Sequence, residues 1–144
     1  MSARKNFQSK FFKLNTGSLH VILSKRAGLP VIFIHGAHRQ HQNAEIWMPF
    51  LPALPITVKP VLVDLPGHGK SPVPGSLDNF RDSHLPILTD FIKQAGFKEF
   101  LFVGRSYGGW LAMRLASSFP DQTRGLFLIA PLGADKAHRY LSTL

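Results

Sequence analysis

A serine set between two glycines, Gly104-Arg105-Ser106-Tyr107-Gly108, constrains this chain more than any other stretch. It follows an apolar run, Phe100-Leu101-Phe102-Val103, and opens a helical pattern from Trp110 to Ser118. A chain that turns from strand to helix over so few residues brings the two elements together two positions before and two after the serine. Side chains there would collide, so Gly104 and Gly108 fit where larger residues would not. Gly109 lets the new helix pack tightly on the sheet. The turn leaves the serine hydroxyl exposed at a helix N-terminus, where developing negative charge is favoured. Such a position suits acyl transfer through Ser106.

The rest of the chain alternates in the same way. Phe11 to Leu14 and Leu19 to Leu23 flank Asn15-Thr16-Gly17-Ser18, which reads as a hairpin. Pro30-Val31-Ile32-Phe33-Ile34 is a continuous apolar run, as expected of a strand buried on both faces. Trp47 to Leu54 is expected to form a short helix before Pro55, and Val61-Leu62-Val63 the next strand. Leu85, Leu88, Phe91, Ile92 and Ala95 recur at helical spacing, with Pro86 near the start and Gly96 as the stop. A last apolar run occupies Gly125 to Pro131. A hairpin followed by alternating strands and helices predicts a single α/β domain over residues 1–144 with a mostly parallel sheet. Sites in such sheets form at the carboxyl ends of strands. His35-Gly36, Asp64 and Ser106 all fall at such ends.

Composition narrows the functions. The chain has 144 residues, no cysteine and a formal net charge of +9. Disulfides and thiolate metal sites are therefore excluded, and no apolar run approaches membrane-spanning length. No acid occurs before Glu45, whereas Arg4, Lys5, Lys10, Lys13, Lys25, Arg26 and Arg39 do. An organelle transit peptide, a face for nucleic acid or anionic lipid, and a simple solvated strand surface are all compatible with that bias. We adopt the third reading, because the stretch lacks the clustering and aromatic interleaving of a nucleic-acid reader. A cytoplasmic location and no nucleic-acid partner are the corresponding expectations.

The other motifs qualify the serine. His35-Gly36-Ala37 follows a strand, and the Ala37 N–H is a candidate oxyanion donor, with the Tyr107 N–H as the second. His35 and Gly36 would be structural, His35 holding the loop by hydrogen bonds. Asp64-Leu65-Pro66-Gly67-His68-Gly69-Lys70-Ser71 contains Gly-Lys-Ser, but a phosphate loop needs glycine at position 64 and a helix after Ser71, which Pro72 and Pro74 oppose. It reads instead as a rigid loop with Asp64 capping backbone amides. The glycines around Ser106 do not form G-x-G-x-x-G, so no dinucleotide is expected. His38 and His41 lie in a polar loop rather than at a metal site, and no metal or other cofactor is expected. Arg105 could bind an anionic substrate group or pair with a surface acid; we read it as the latter.

Val31 to Gly36, Trp47, Asp64 to Ser71 and Gly104 to Gly109 come in the order and spacing of the α/β-hydrolase superfamily, which the chain resembles over about residues 10–135. Ala130-Pro131-Leu132-Gly133-Ala134-Asp135-Lys136 is similar to the small, lidless members grouped as α/β-hydrolase-domain-containing protein 14. The resemblance implies a three-layer α/β/α sandwich around a sheet of about six strands. It also implies a Ser106 nucleophile, oxyanion donors Ala37 and Tyr107, and a small ester, thioester or amide as substrate. The family's order is serine, acid, histidine, with the histidine after the last strand. Strands equivalent to the family's seventh and eighth are missing, and the usual places of the acid and histidine with them.

Asp135 and His138 are not expected to be held as replacements so near the end of the sequence. A serine without a base is a weak nucleophile. The expectation is a C-terminally incomplete hydrolase domain with feeble or no turnover. The alternative is a non-catalytic interaction module. In either case residues 126–129 would form an apolar sheet edge open to strand addition or self-association.

Overall fold

The structure is a computed structural model and describes residues 3–38, 40–75 and 80–133. After a short 3-10 helix, Ala3–Asn6, comes an antiparallel hairpin of β1 (Phe7–Leu14) and β2 (Gly17–Ser24), paired from Phe7 opposite Ser24 to Leu14 opposite Gly17. Only Asn15 and Thr16 remain in the turn. β1 begins at Phe7, ahead of the expected start at Phe11, because the exposed Gln8, Ser9 and Lys10 continue the backbone ladder while their side chains meet water.

Four parallel strands follow: β3 (Leu29–Ile34), β4 (Val58–Val63), β5 (Phe100–Arg105) and β6 (Thr123–Ile129). The sheet order is β1-β2-β4-β3-β5-β6, with β2 antiparallel to β4. The last four residues of β3 and of β4 are buried, which is why those segments read as unbroken apolar runs.

Among the described residues two helices cover one face. α1 (His84–Ala95) carries Pro86 in its first turn, where a missing N–H breaks no helical bond, and ends at Gly96 with φ 66°. α2 (Tyr107–Ser118) begins directly after Ser106. Ile87, Leu88, Phe91, Leu111 and Leu115 pack there with Leu19, Val21, Ile32, Ile34, Val61 and Val63 of the sheet.

Among the described residues the opposite face is covered more sparsely. The expected helix at 47–54 is a 3-10 helix, Ala44–Ala53. Pro49 and Pro52 lie inside it, and each removes a backbone donor that an α-helix would use. Its Ala44, Trp47 and Leu51 pack on Val31, Phe33 and Leu62. Beyond Trp47 this face opens into an apolar groove of about 450 Å³ that reaches Val103, Phe127 and Ile129. Among the described residues β6 is an edge strand, and Leu126, Phe127 and Ile129 are 42%, 64% and 38% exposed. No helix of the described residues is long and apolar enough to cross a membrane.

From the carboxyl end of β3 the chain goes to β4 on one side, and from the carboxyl end of the neighbouring β5 it goes to β6 on the other. Such a reversal opens a crevice at the carboxyl ends of the strands.

Candidate active site

Ser106 stands between β5 and α2 with φ 53° and ψ −120°, a left-handed backbone rarely adopted by residues other than glycine. Four hydrogen bonds hold it there. Its N–H donates to Ile129 O at 3.0 Å, and its carbonyl accepts from Gly109, Trp110 and Leu132 at 2.9, 3.3 and 2.9 Å. Strain of this kind persists only where the surroundings over-determine the backbone.

The flanking glycines have separate reasons. A Cβ at Gly104 would lie 2.5 Å from Gly108 O and 2.7 Å from Gly109 Cα. A Cβ at Gly108 would lie 2.3 Å from both the Ile34 and His35 carbonyl oxygens, so Gly108 seats α2 on the end of β3. At Gly109 the collision would be with Pro131, at 2.7 Å.

The loop after β3 faces this turn. Gly36, Ala37, His38, Gln42, Arg105 and Ser106 line a cavity of about 380 Å³. Gly36 is near enough that a Cβ on it would stand 3.6 Å from Ser106 Cβ, an ordinary contact, so close packing does not demand glycine there.

His35 is fully buried. Its Nε2 accepts from the Leu65 N–H at 3.0 Å, which leaves the ring proton on Nδ1 to donate to Gly36 O at 2.7 Å. Burial brings His35 down to about 4, so the ring is neutral. In a trans peptide the N–H points away from the C=O. With Gly36 O held toward His35, the Ala37 N–H is directed to the other side. The Ser106–Tyr107 peptide obeys the same rule: its oxygen is held by α2, and the Tyr107 N–H points out of the helix start. Neither N–H has a backbone acceptor among the described residues.

A row of rings supports the loop from beneath. The His35 and His68 centroids are 5.0 Å apart, His68 and His84 6.0 Å, and His84 and Tyr107 5.6 Å. His68 Nε2 lies 3.0 Å from Ala37 O. His84 Nε2 donates to Pro66 O at 3.1 Å, so its Nδ1 accepts from the Tyr107 hydroxyl at 3.2 Å. Burial lowers His84 to about 4 and raises Tyr107 to about 12, which keeps both neutral.

Sequence reasoning placed His68 only within a loop and did not single out His84. No local signal marks their link to the site, because Ala37 is 31 residues from His68 and Tyr107 is 23 residues from His84.

Asp64 is buried and ties three segments together. Its carboxylate accepts from Ala44 N–H at 2.6 Å, Lys70 N–H at 2.8 Å and His20 Nδ1 at 2.7 Å. Burial would raise its pKa, but the hydrogen bonds from His20, Lys70 and Ala44 outweigh that and hold the carboxyl below the ordinary range. Gly69, with φ 52°, lies against this carboxylate, and a Cβ there would stand closer than van der Waals contact allows. Ser71 Oγ donates to Asp64 O at 2.6 Å. The Gly-Lys-Ser segment is thus folded onto its own aspartate.

The structure brings Ser106, Gly36 and Ala37 together, with the Tyr107 N–H beside them. Asp64 stays behind the loop. Arg105 donates to Gln42 Oε1 at 3.4 Å, and among the described residues no carboxylate pairs with it; Gln42 was not anticipated. His38 and His41 stack at 4.7 Å, and no metal-holding group of three donors occurs among the described residues. No histidine nitrogen or carboxylate bonds the Ser106 hydroxyl among those residues. Asp135 and His138, like Ala134 and Lys136 of the narrower resemblance, lie outside them.

Comparison with known proteins gives one family. The family described as alpha/beta hydrolase fold matches residues 30–142. Pimeloyl-[acyl-carrier protein] methyl ester esterase of Aeromonas hydrophila is 31% identical over 103 residues, covering 72% of this chain and 38% of that protein. Haloalkane dehalogenase 2 of Mycobacterium tuberculosis is 25% identical over 122 residues, covering 85% and 41%. Among solved structures, an epoxide hydrolase from an endophytic Streptomyces superposes with a TM-score of 0.73 at 23% identity, covering 86% of this chain and 37% of that one. The chain thus spans about two fifths of the length of these relatives. The match runs through most of this sequence and through each strand-end loop just described, and the chain belongs to the α/β-hydrolase fold family.

Proposed function

We propose that residues 30–133 carry the nucleophile and oxyanion half of a serine hydrolase site for small esters, thioesters or amides. The observation that carries this is the strained Ser106 backbone, held by four hydrogen bonds at the mouth of a cavity. The named relatives include a dehalogenase, a methyl ester esterase and an epoxide hydrolase, so family membership alone does not choose the reaction. A serine at the turn favours acyl transfer.

Ser106 Oγ attacks the carbonyl carbon, and the Ala37 and Tyr107 N–H groups receive the oxyanion. His35, His68 and Gly36 orient the Ala37 loop, and Gly104 and Gly108 permit the turn. With no base on the hydroxyl among the described residues, turnover by the 144-residue chain is slow. Oxyanion stabilisation and binding supply only part of triad catalysis.

A trifluoromethyl ketone tests the nucleophile without requiring turnover. A ¹⁹F hemiketal signal lost in Ser106→Ala supports the reading. No hemiketal, or one that survives in Ser106→Ala, overturns it. Rapid hydrolysis of p-nitrophenyl acetate that disappears with Ser106 would overturn the slow-turnover part alone.

The exposed apolar edge of β6 favours a second reading, an interaction module that recruits a strand through residues 126–129. A monodisperse complex dependent on Leu126 to Ile129 in size-exclusion chromatography supports the module, and insoluble aggregate counts against it.

A further inference from the structure

We propose that Ser9, on the outer hairpin, is a second nucleophilic serine, aligned by His20 and Asp64 and able to take small activated acyl groups. Phe11 and His20 are cross-strand partners, and Ser9, two residues before Phe11, shares their face of the sheet. Ser9 Oγ stands 2.6 Å from His20 Nε2, and His20 Nδ1 stands 2.7 Å from Asp64 Oδ2. The chain of donors has one direction. Asp64 already accepts two backbone N–H groups, so it acts as an acceptor toward His20. The proton between them is therefore on Nδ1. Nε2 then presents its lone pair, and the Ser9 hydroxyl donates to it. That polarity is the one general-base activation of a serine requires.

The parts are also fixed and accessible where each needs to be. His20 is 1% exposed, with the Phe11 ring 5.0 Å away, so the imidazole is held in place. Ser9 is exposed and lines a cavity of about 160 Å³ with Phe7, Ile22, Met48, Glu45 and Lys70. The three apolar walls suit a methyl or short alkyl group, and the size excludes long acyl chains. Lys70 supplies positive charge for a carbonyl oxygen that becomes negative. With an aryl acetate, Ser9 Oγ bonds to the carbonyl carbon as its proton passes to His20 Nε2. Collapse breaks the ester C–O bond, the phenol oxygen leaves with that proton, and acetyl-Ser9 remains.

The test uses the full chain with Ser106→Ala, so its outcome is independent of the elbow serine. The protein is incubated with p-nitrophenyl acetate and acetylation rates are read by peptide mass spectrometry. Ser117 and Ser118 are exposed serines whose hydroxyls donate to backbone carbonyls, and they serve as internal references. Ser9 is expected to react roughly 100-fold faster than either in the folded protein, the lower range of general-base catalysis, and at their rate in urea. A Ser9 rate equal to the references in the folded protein, or an advantage that persists in urea, overturns the proposal.

Discussion

The carbonyl oxygen of Gly108 lies 2.5 Å from the point where a Cβ on Gly104 would stand, and Gly108 itself is pressed onto the carbonyls of Ile34 and His35. The turn at Ser106 is therefore a three-way contact of β5, α2 and the end of β3, not a local bend. Gly104→Ala must push α2 off the sheet. The expected loss is about 1–3 kcal/mol or more, as for overpacked cores, read from urea midpoints. Gly36→Ala is the contrasting variant. Its methyl meets only ordinary contacts, at 3.6 Å or beyond, and stability should stay within about 0.5 kcal/mol. Equal losses from the two substitutions would refute this account of the turn.

Ser106 shows a different conflict, between stability and the proposed chemistry. A φ of 53° costs a serine on the order of 1 kcal/mol, whereas glycine reaches it freely. Ser106→Gly should raise the melting temperature by a few degrees while removing the hydroxyl. Ser106→Ala removes the same hydroxyl and keeps the strain, so it should melt close to the parent. Calorimetry on the pair separates backbone strain from side-chain loss.

His35 and His84 make the fold sensitive to mild acid. Burial lowers each from 6.5 to about 4. Between those values the unfolded chain binds protons that the folded chain does not, so stability falls as pH falls. The contribution is fully present above pH 6.5 and is lost progressively toward pH 4, by up to about 3 kcal/mol per group. Urea titrations at pH 7.5 and pH 4.5 should differ accordingly. His84→Phe removes one of the two titrating groups and should flatten the slope; an unchanged slope would show that His84 does not titrate in this window.

The sequence showed most clearly what is repeated along short segments. The apolar runs at 30–34, 61–63 and 100–103 each became a strand, and Gly96 ended α1 where a left-handed residue was needed. The region around Trp47 was harder, because an apolar pattern does not separate an α-helix from a 3-10 helix; Pro49 and Pro52 make the difference by removing donors. The site was legible where the motif carries its own geometry, as around Ser106. It was illegible where chemistry depends on partners brought from far along the chain. His20 meets Asp64 across 44 residues, and Arg105 meets Gln42 across 63. Nothing in the local pattern at either end announces such a pair, since side-chain polarity reports a need for a partner but not its position.

The edge at β6 supplies a prediction about association. Phe127 pairs in register with Val103 and is 64% exposed, and with Ile129 it lines the apolar groove beside Trp47. An edge strand with free backbone groups and apolar side chains favours pairing with another copy. Phe127→Lys places a charge in that surface and should shift a concentrated sample toward smaller species in size-exclusion chromatography with light scattering. Because the ring is largely in water, the substitution should change unfolding free energy by no more than about 0.5 kcal/mol. A smaller species with unchanged stability would identify β6 as the association surface. Loss of stability without a change in size would instead mean that Phe127 closes the groove within a single chain.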